Sequence, residues 1–593
     1  MRVGEFREDL VARVRLLSGV LVTLLVLIAA CFWFVQVVQG SYYRDLAENN
    51  RLRRLPMKAP RGSIFDRHGR PLVENVPSYN LLLDRSRVRD PEASLELAAG
   101  ILGRPMGELR LLLERYRSIP EFTPVLLAEN LTLAQVARFG VQNLEHPEFE
   151  IDVDHLRLYR QGEQAAHLLG YLGEASAEEV RRGLSAGELT GKKGIEQTYD
   201  ALLRGRAGER VVVVDSRGRV LEEHRDSPAA PGRNLELTLD LELQQEAERF
   251  LRGQVGAVVA LDPRNGEILA LASAPGFDPN LFARRLRPSD WHALVTAPGH
   301  PLQNRALQNT YAPGSVFKVV VALAGLAEGV VGPGDSVYCG GAATFYDRSF
   351  RCVKRGGHGR VNLHAALRVS CDVYFYTLGR KLGVDRIARY ARLFGFGERA
   401  GIDLAGEKAG LVPDEPWSLR ARGYPWYPGE TISVAIGQGP LLVTPLQMAV
   451  MMAAVANGGR RVVPHLVRGE DPEPAPQPIR LPAAELQRVR EGLRAVVNDG
   501  GTGAAAKVEG LEVAGKTGTV QVVAQETWIE SRALRQEHRD HAWFASFAPY
   551  QDPRLVVVVF IEHGGHGSQA AAPLAKILYE TYFRAFLGDH QPA

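Results

Sequence analysis

Charge of one sign is what this 593-residue chain has least of: 71 lysines and arginines against 68 aspartates and glutamates leave a formal net charge of +3. No strong field of either sign builds up over that length, so nothing points to a nucleic acid as partner. Cysteine is also scarce. Four cysteines do not make a disulfide scaffold in a chain of this size, so the fold must rest on hydrophobic cores, for which 45% hydrophobic residues are ample. No internal repeat is visible. Single cores rarely grow past about 250 to 300 residues, so two or more domains are expected.

Charge is missing altogether from Leu16 to Val38, a run of 23 residues. About 20 apolar residues span a bilayer as a helix. The run continues through Phe32-Trp33-Phe34 instead of ending in small residues, which argues for a retained anchor over residues 16–39 and against a cleaved signal. Arg2, Arg7, Arg13 and Arg15 precede it, and Arg44, Arg51, Arg53, Arg54 and Lys58 follow. Basic residues on both sides leave its orientation open.

From Ser41 to about Gly232 short strand-like runs (Tyr79 to Asp84, Arg210 to Asp215) mix with amphipathic stretches such as Leu95 to Arg117. Arg225 to Asn234 has the Pro/Gly/polar composition of a linker and marks a boundary near residue 232. Beyond it, Gly256 to Ser273 reads as two strands joined by an Asn265-Gly266 turn. A helix opens at Thr444-Pro445, and a Pro-rich loop runs from Glu470 to Pro482. Two strands, Ala542 to Ala548 and Leu555 to Ile561, precede a final helix from near Ser568 to about Phe586. This order implies an α+β domain with helices on an antiparallel sheet drawn from both of its ends.

Three short elements carry chemistry. Ser315 stands three residues before Lys318, on a helix expected to begin after Pro313-Gly314. Residues three apart share a helix face, so an amine could reach the serine hydroxyl and activate it. Alone, the stretch reads as a capped core helix. Ser370 and Asp372 lie two apart, and Lys516-Thr517-Gly518-Thr519 lies on a strand-like segment, where a cation, hydroxyls and a glycine would let a substrate backbone approach an edge. That segment alone reads as a strand with a solvated lysine. Gly437-Gln438-Gly439 suits both a cleft border and a turn before a helix.

Taken together, Ser315-x-x-Lys318, Ser370-x-Asp372 and Lys516-Thr517-Gly518 resemble the motif set of penicillin-binding proteins and serine β-lactamases. Arg61 to Leu72 and Gly191 to Gly208 are similar to spacer motifs of class B penicillin-binding proteins, and Leu237 to Glu248 to the start of their catalytic domain. Nothing resembles the glycosyltransferase element of class A. The resemblance implies a cytoplasmic segment 1–15, a membrane helix, a pedestal over 40–232 and an extracytoplasmic transpeptidase domain over 233–593, with an all-helical subdomain beside its sheet. It implies that Ser315 attacks a D-Ala-D-Ala stem peptide and forms an acyl-enzyme that a second stem resolves into a cross-link, with β-lactams as substrate mimics. Lys318 would be the base and Ser370 the proton relay to the leaving amine. The amides of Ser315 and Thr519 would form the oxyanion hole, while Lys516, Thr517 and Thr519, with Gly518, would hold the substrate carboxylate. No cofactor is required for that chemistry, and a SEDS-type glycosyltransferase is the implied partner.

One departure stands out. Many relatives have Ser-x-Asn, whereas Asp372 has no amide to donate. Ser-x-Asp resembles the elongation type of class B, those like penicillin-binding protein 2, and leaves the hydrogen bonding of Asp372 open. Cys339, Cys352, His358 and Cys371 form Cys-x12-Cys-x5-His-x12-Cys, a ligand set for structural zinc, with Asp347 as a substitute ligand. The other reading is a Cys339 to Cys352 disulfide with His358 on the surface. Competing functions are a D,D-carboxypeptidase, a division-type transpeptidase, and a scaffold that chiefly activates the glycosyltransferase. A class A β-lactamase would need a Glu-x-x-Leu-Asn element, which is absent.

Overall fold

The uncharged run lies in a helix, Arg2–Trp33, that passes into a π turn, Phe34–Val38. Leu10–Val38 is exposed throughout and is long and apolar enough to cross a membrane. The computed structural model describes residues 2–44, 52–117, 121, 123–184, 187–214, 220–284, 286–469, 475–522 and 534–588. Arg51, Asp215 and the head of the Pro-rich loop, 470–474, lie outside the described residues.

The chain divides into two compact units. One comprises 1–60, 77–155 and 205–231; the other comprises 61–76, 156–204 and 232–593. In the first, Leu52–Met57, Gly208–Val214 and Val220–Ser227 form an antiparallel sheet with Gly208–Val214 central. The stretch read as a linker from Arg225 is therefore strand as far as Ser227. A separate core gathers Leu81, Leu83, Leu95, Leu109, Val125, Leu127, Phe139 and Phe149. The helix expected over Leu95 to Arg117 is two helices, Pro91–Leu102 and Met106–Arg115. Gly103 takes the left-handed conformation that ends the first helix, and Pro105 precedes the second, so the apolar period continues while the backbone cannot.

In the second unit, the two spacer stretches meet in one ion cluster. Glu196, fully buried, accepts from Arg61 Nε at 2.7 Å and Arg157 Nε at 2.8 Å; Arg157 also donates to Gly62 O at 2.7 Å, and Arg61 pairs with Asp200 at 2.8 Å. Buried guanidinium groups need such partners because their own desolvation opposes burial.

The main sheet of this unit has five antiparallel strands in the order Ile268–Ala274, Gly256–Leu261, Leu555–Ile561, His541–Ala548, Ala514–Val520. It is drawn from both ends of the domain, as the sequence order implies. Every residue of the central strand, Leu555–Ile561, is buried, because helices cover both faces. Val556, Val558 and Phe560 face one core with the helices Lys318–Ala327 and Pro445–Ala456. Val557 and Val559 face another with Leu241–Leu251 and Ala572–Tyr582. The final helix is split into Gly567–Ala570, Ala572–Tyr582 and Arg584–Gly588. The subdomain expected to be all-helical also carries two short antiparallel pairs, Ser336–Cys339 with Gly359–Asn362 and Ala342–Phe345 with Arg348–Arg351. Their runs of four residues are too short for periodicity to reveal.

Glu196→Ala leaves Arg157 buried beside Arg61 with no carboxylate between them. Such a loss typically costs about 3 to 5 kcal/mol; chemical denaturation of the full-length protein is expected to show a drop of that order.

Candidate active site

Pro313-Gly314 opens a single 3-10 turn, Gly314–Phe317, and the α-helix proper begins at Lys318. The serine and lysine thus sit on a tighter coil than an α-helix. Val316 to Leu326 is buried, whereas Ser315 is half-buried. The turn is held from two sides. Gly314 N donates to Gly437 O at 2.9 Å, which places the Gly437-Gln438-Gly439 stretch against the turn. A side chain on Gly437, whose φ is +74°, would lie 2.1 Å from Gly314 O. On the other side Gly518 faces Val316 and Pro313, and a Cβ there would come within 3.0 Å of Val316 Cγ2. These glycines let three chain segments close to backbone distance.

Lys318 is fully buried. Its amine donates to Ser370 O at 3.0 Å, Ser370 Oγ at 3.2 Å and Asp372 Oδ1 at 2.6 Å, and it lies 5.5 Å from the Phe375 ring centre. Those contacts occupy all three N–H groups. The expected direct contact differs: among the described residues no hydrogen bond joins Lys318 to Ser315. Ser370 holds φ at +55°, a conformation costly for a residue with a Cβ, and it turns both its hydroxyl and its carbonyl to Lys318.

Asp372 opens the helix Asp372–Leu382. Its second oxygen accepts from Val353 N at 2.7 Å. That answers what an aspartate does here: each oxygen accepts, one from an ammonium and one from an amide. An asparagine could satisfy only one of them, since its NH2 would face the other donor. Val353 gave no signal in the sequence, because its role is carried by backbone N–H.

Lys516 is fully buried on the edge strand Ala514–Val520 and donates to Thr517 O at 3.0 Å. Burial first, and then the Lys318 ammonium, push its pKa well below the ordinary lysine value, while Asp372 opposes the shift. It is not the solvated lysine of the plain strand reading. Thr517 is buried and Thr519 half-exposed on the same strand.

Val353 adjoins the cysteine cluster. Cys339, Cys352, His358 and Cys371 bring their ligand atoms within 4.8 Å of one another, and Asp347 is not among them. The three thiols are free, and His358 Nδ1 lies 3.7 Å from Cys339 Sγ and 3.5 Å from Cys352 Sγ. His358 is thus drawn into the group, not left on the surface. A hydrogen bond from the Cys371 thiol favours the thiolate of Cys352.

The description "Penicillin binding protein transpeptidase domain" matches residues 256–580, and "Penicillin-binding Protein dimerisation domain" matches 56–237. The peptidoglycan D,D-transpeptidase MrdA of Haemophilus influenzae is 34% identical over 97% of this chain and 91% of its own length. A solved complex of penicillin-binding protein 2 with MreC from Helicobacter pylori matches 90% of this chain and 99% of that one, with 27% identity and a TM-score of 0.81. A second structure, titled for the coordination of polymerization and crosslinking by a peptidoglycan synthase complex, matches 96% of this chain and 98% of that one at 34% identity and a TM-score of 0.74. The chain belongs to the penicillin-binding protein transpeptidases and, within them, to the class B elongation type, the penicillin-binding protein 2 family. Members of this family use a serine and need no cofactor, and penicillins fit their site.

Asp372→Asn is expected to slow acylation by penicillin by about 5- to 150-fold, because a buried ammonium or a buried amide loses its acceptor, a loss of about 1 to 3 kcal/mol. Stopped-flow or gel-based acylation rates check this, and Asp372→Glu, which keeps the charge and shifts its position, is expected to fall between the two.

Proposed function

We propose that this protein is a membrane-anchored enzyme that cross-links peptidoglycan stem peptides during cell-wall elongation, with Ser315 as its nucleophile. The observation that carries this reading is the docking of the Ser315 turn between the Lys318–Ser370–Asp372 cluster and the edge strand bearing Lys516, with Ser315 the half-exposed residue amid a buried run.

Ser315 Oγ attacks the carbonyl between the last two D-alanines. The backbone N–H of Thr519 on the edge strand and that of Ser315, which lies in a first helical turn where N–H groups lack intrahelical acceptors, receive the developing oxyanion. Donors of this kind contribute about 3 kcal/mol each. Lys318, which has no hydrogen bond to Ser315 in the resting site, takes the serine proton once that contact tightens around bound substrate. Two buried amines face one carboxylate, Asp372, so the pair is balanced when it carries one positive charge. A substrate carboxylate at Thr517, Thr519 and Lys516 opposes the burial and the Lys318 charge that depress the Lys516 pKa, and so favours the charged form of Lys516. Ser370, whose Oγ is 3.2 Å from Lys318, passes a proton to the leaving nitrogen as the C–N bond breaks and D-alanine departs. The amine of a second stem then attacks the acyl carbon, the ester to Oγ breaks, and the serine regains its proton. A β-lactam enters the first half of this sequence.

Structural zinc bound by Cys339, Cys352, His358 and Cys371 belongs to the same reading. Bonds of about 2.3 Å to sulfur and about 2.0 Å to nitrogen leave tetrahedral S and N ligands about 3.6 Å apart, against the 3.5 and 3.7 Å found. The ion would cross-link the two short strand pairs to the start of the Asp372 helix. Zinc content near one equivalent, with thiols freed on chelation, is the expected outcome of elemental analysis and thiol titration. Metal-free protein with one disulfide would sink the assignment.

The layout follows: residues 1–15 inside, the helix 16–39 in the inner membrane, and a pedestal over 40–232 carrying a periplasmic catalytic domain over 233–593. The chain's likeness to a component of a peptidoglycan synthase complex supports a SEDS-type glycosyltransferase as partner.

Fluorescent penicillin is expected to label the wild-type protein covalently and to leave Ser315→Ala unlabelled. Equal labelling of both would reassign the nucleophile.

A further inference from the structure

The third motif has a partner that no motif contains. Thr502 lies in the Asp499 to Gly503 loop after the helix Ala483–Asn498, and its Oγ1 is 2.6 Å from Thr517 Oγ1. The contact is not a chance meeting of surface side chains. Thr502 N donates to Arg368 O at 3.2 Å, two residues before Ser370, and Gly503 N donates to Val496 O at 3.0 Å. Gly501 packs so closely that a Cβ there would meet Val496 O at 2.5 Å and Arg368 O at 2.8 Å. The loop is thus clamped between the segment leading to Ser370 and the strand of Lys516. Thr517 is 6% exposed, and among the described residues neither hydroxyl has another hydrogen-bond partner.

A hydroxyl has one proton and two lone pairs. If Thr517 spends its proton on Thr502, it meets an incoming carboxylate with lone pairs, which repel. If Thr502 donates, the Thr517 proton is left for the carboxylate, and the chain Thr502 O–H to Thr517 O–H to carboxylate strengthens each link. Resting on the proposed role of Thr517, we propose that Thr502 is a positioning residue for the substrate carboxylate: it fixes the rotor of Thr517 so that its proton faces the cleft. Thr502 touches no reacting atom. It selects for substrates and inhibitors whose carboxylate reaches Thr517.

The test compares one penicillin with its methyl ester, which keeps the β-lactam and removes the anion. Thr502→Val, nearly isosteric but without the hydroxyl, is expected to lower the second-order acylation constant for the free acid about tenfold, the scale of one hydrogen bond to a charged group, and to leave that for the ester within about twofold of wild type. Thr502→Ser, which restores the donor, is expected to recover the preference for the acid. Equal losses for acid and ester in Thr502→Val, no loss for either, or a Thr502→Ser protein as impaired as Thr502→Val would each overturn the proposal. A wild-type protein that labels with neither reagent speaks instead against the serine acyl-enzyme reading on which it rests.

Discussion

The short contact between Lys318 and Asp372 is the constraint on which the rest of the site depends. A buried ammonium must have acceptors, and Asp372 supplies the one that carries opposite charge. Meeting that need fixes the start of the helix Asp372–Leu382, sets the strained backbone of Ser370, and leaves a second carboxylate oxygen aimed at Val353 N. From there the constraint runs outward through Cys352 to the cysteine and histidine group. It also runs inward, since the charge on Lys318 helps to depress the pKa of Lys516.

The backbone approach around Ser315 obeys a different rule. Here the limiting quantity is space, and glycines at 314, 437 and 518 allow the turn, the Gly437 loop and the edge strand to close. Electrostatic and steric constraints therefore meet at one half-exposed hydroxyl. The five-stranded sheet provides rigidity behind them, with its central strand buried on both faces and the strand of Lys516 at its edge.

Much of this was legible beforehand where physical signals are local or periodic. The Asn265-Gly266 hairpin is present as expected, with Gly266 at φ +94°, and the helix opening at Thr444-Pro445 has its capping box with Gln447. The hydrophobic strands near 542 and 555 pair where their patterns suggest. Periodicity failed where one residue overruled it: Gly103 ends a helix that leucine spacing would continue. The 3-10 character of the Ser315 turn was hidden for a similar reason, since side-chain spacing does not distinguish a tight turn from the first turn of an α-helix.

By itself the sequence determined the order of the elements, the uncharged span near the N-terminus, and which residue types stand at 315, 318, 370, 372 and 516, because composition, periodicity and motif are written along the chain. Only the tertiary structure decided who meets whom. Lys318 reaches Ser370 and Asp372 rather than Ser315, Asp372 reaches the backbone of Val353, His358 joins three thiols, and Thr502 meets Thr517. The reason is physical: these contacts satisfy buried donors and acceptors whose partners are chosen by how distant segments pack, and backbone groups such as the Val353 amide are the same in every residue but proline.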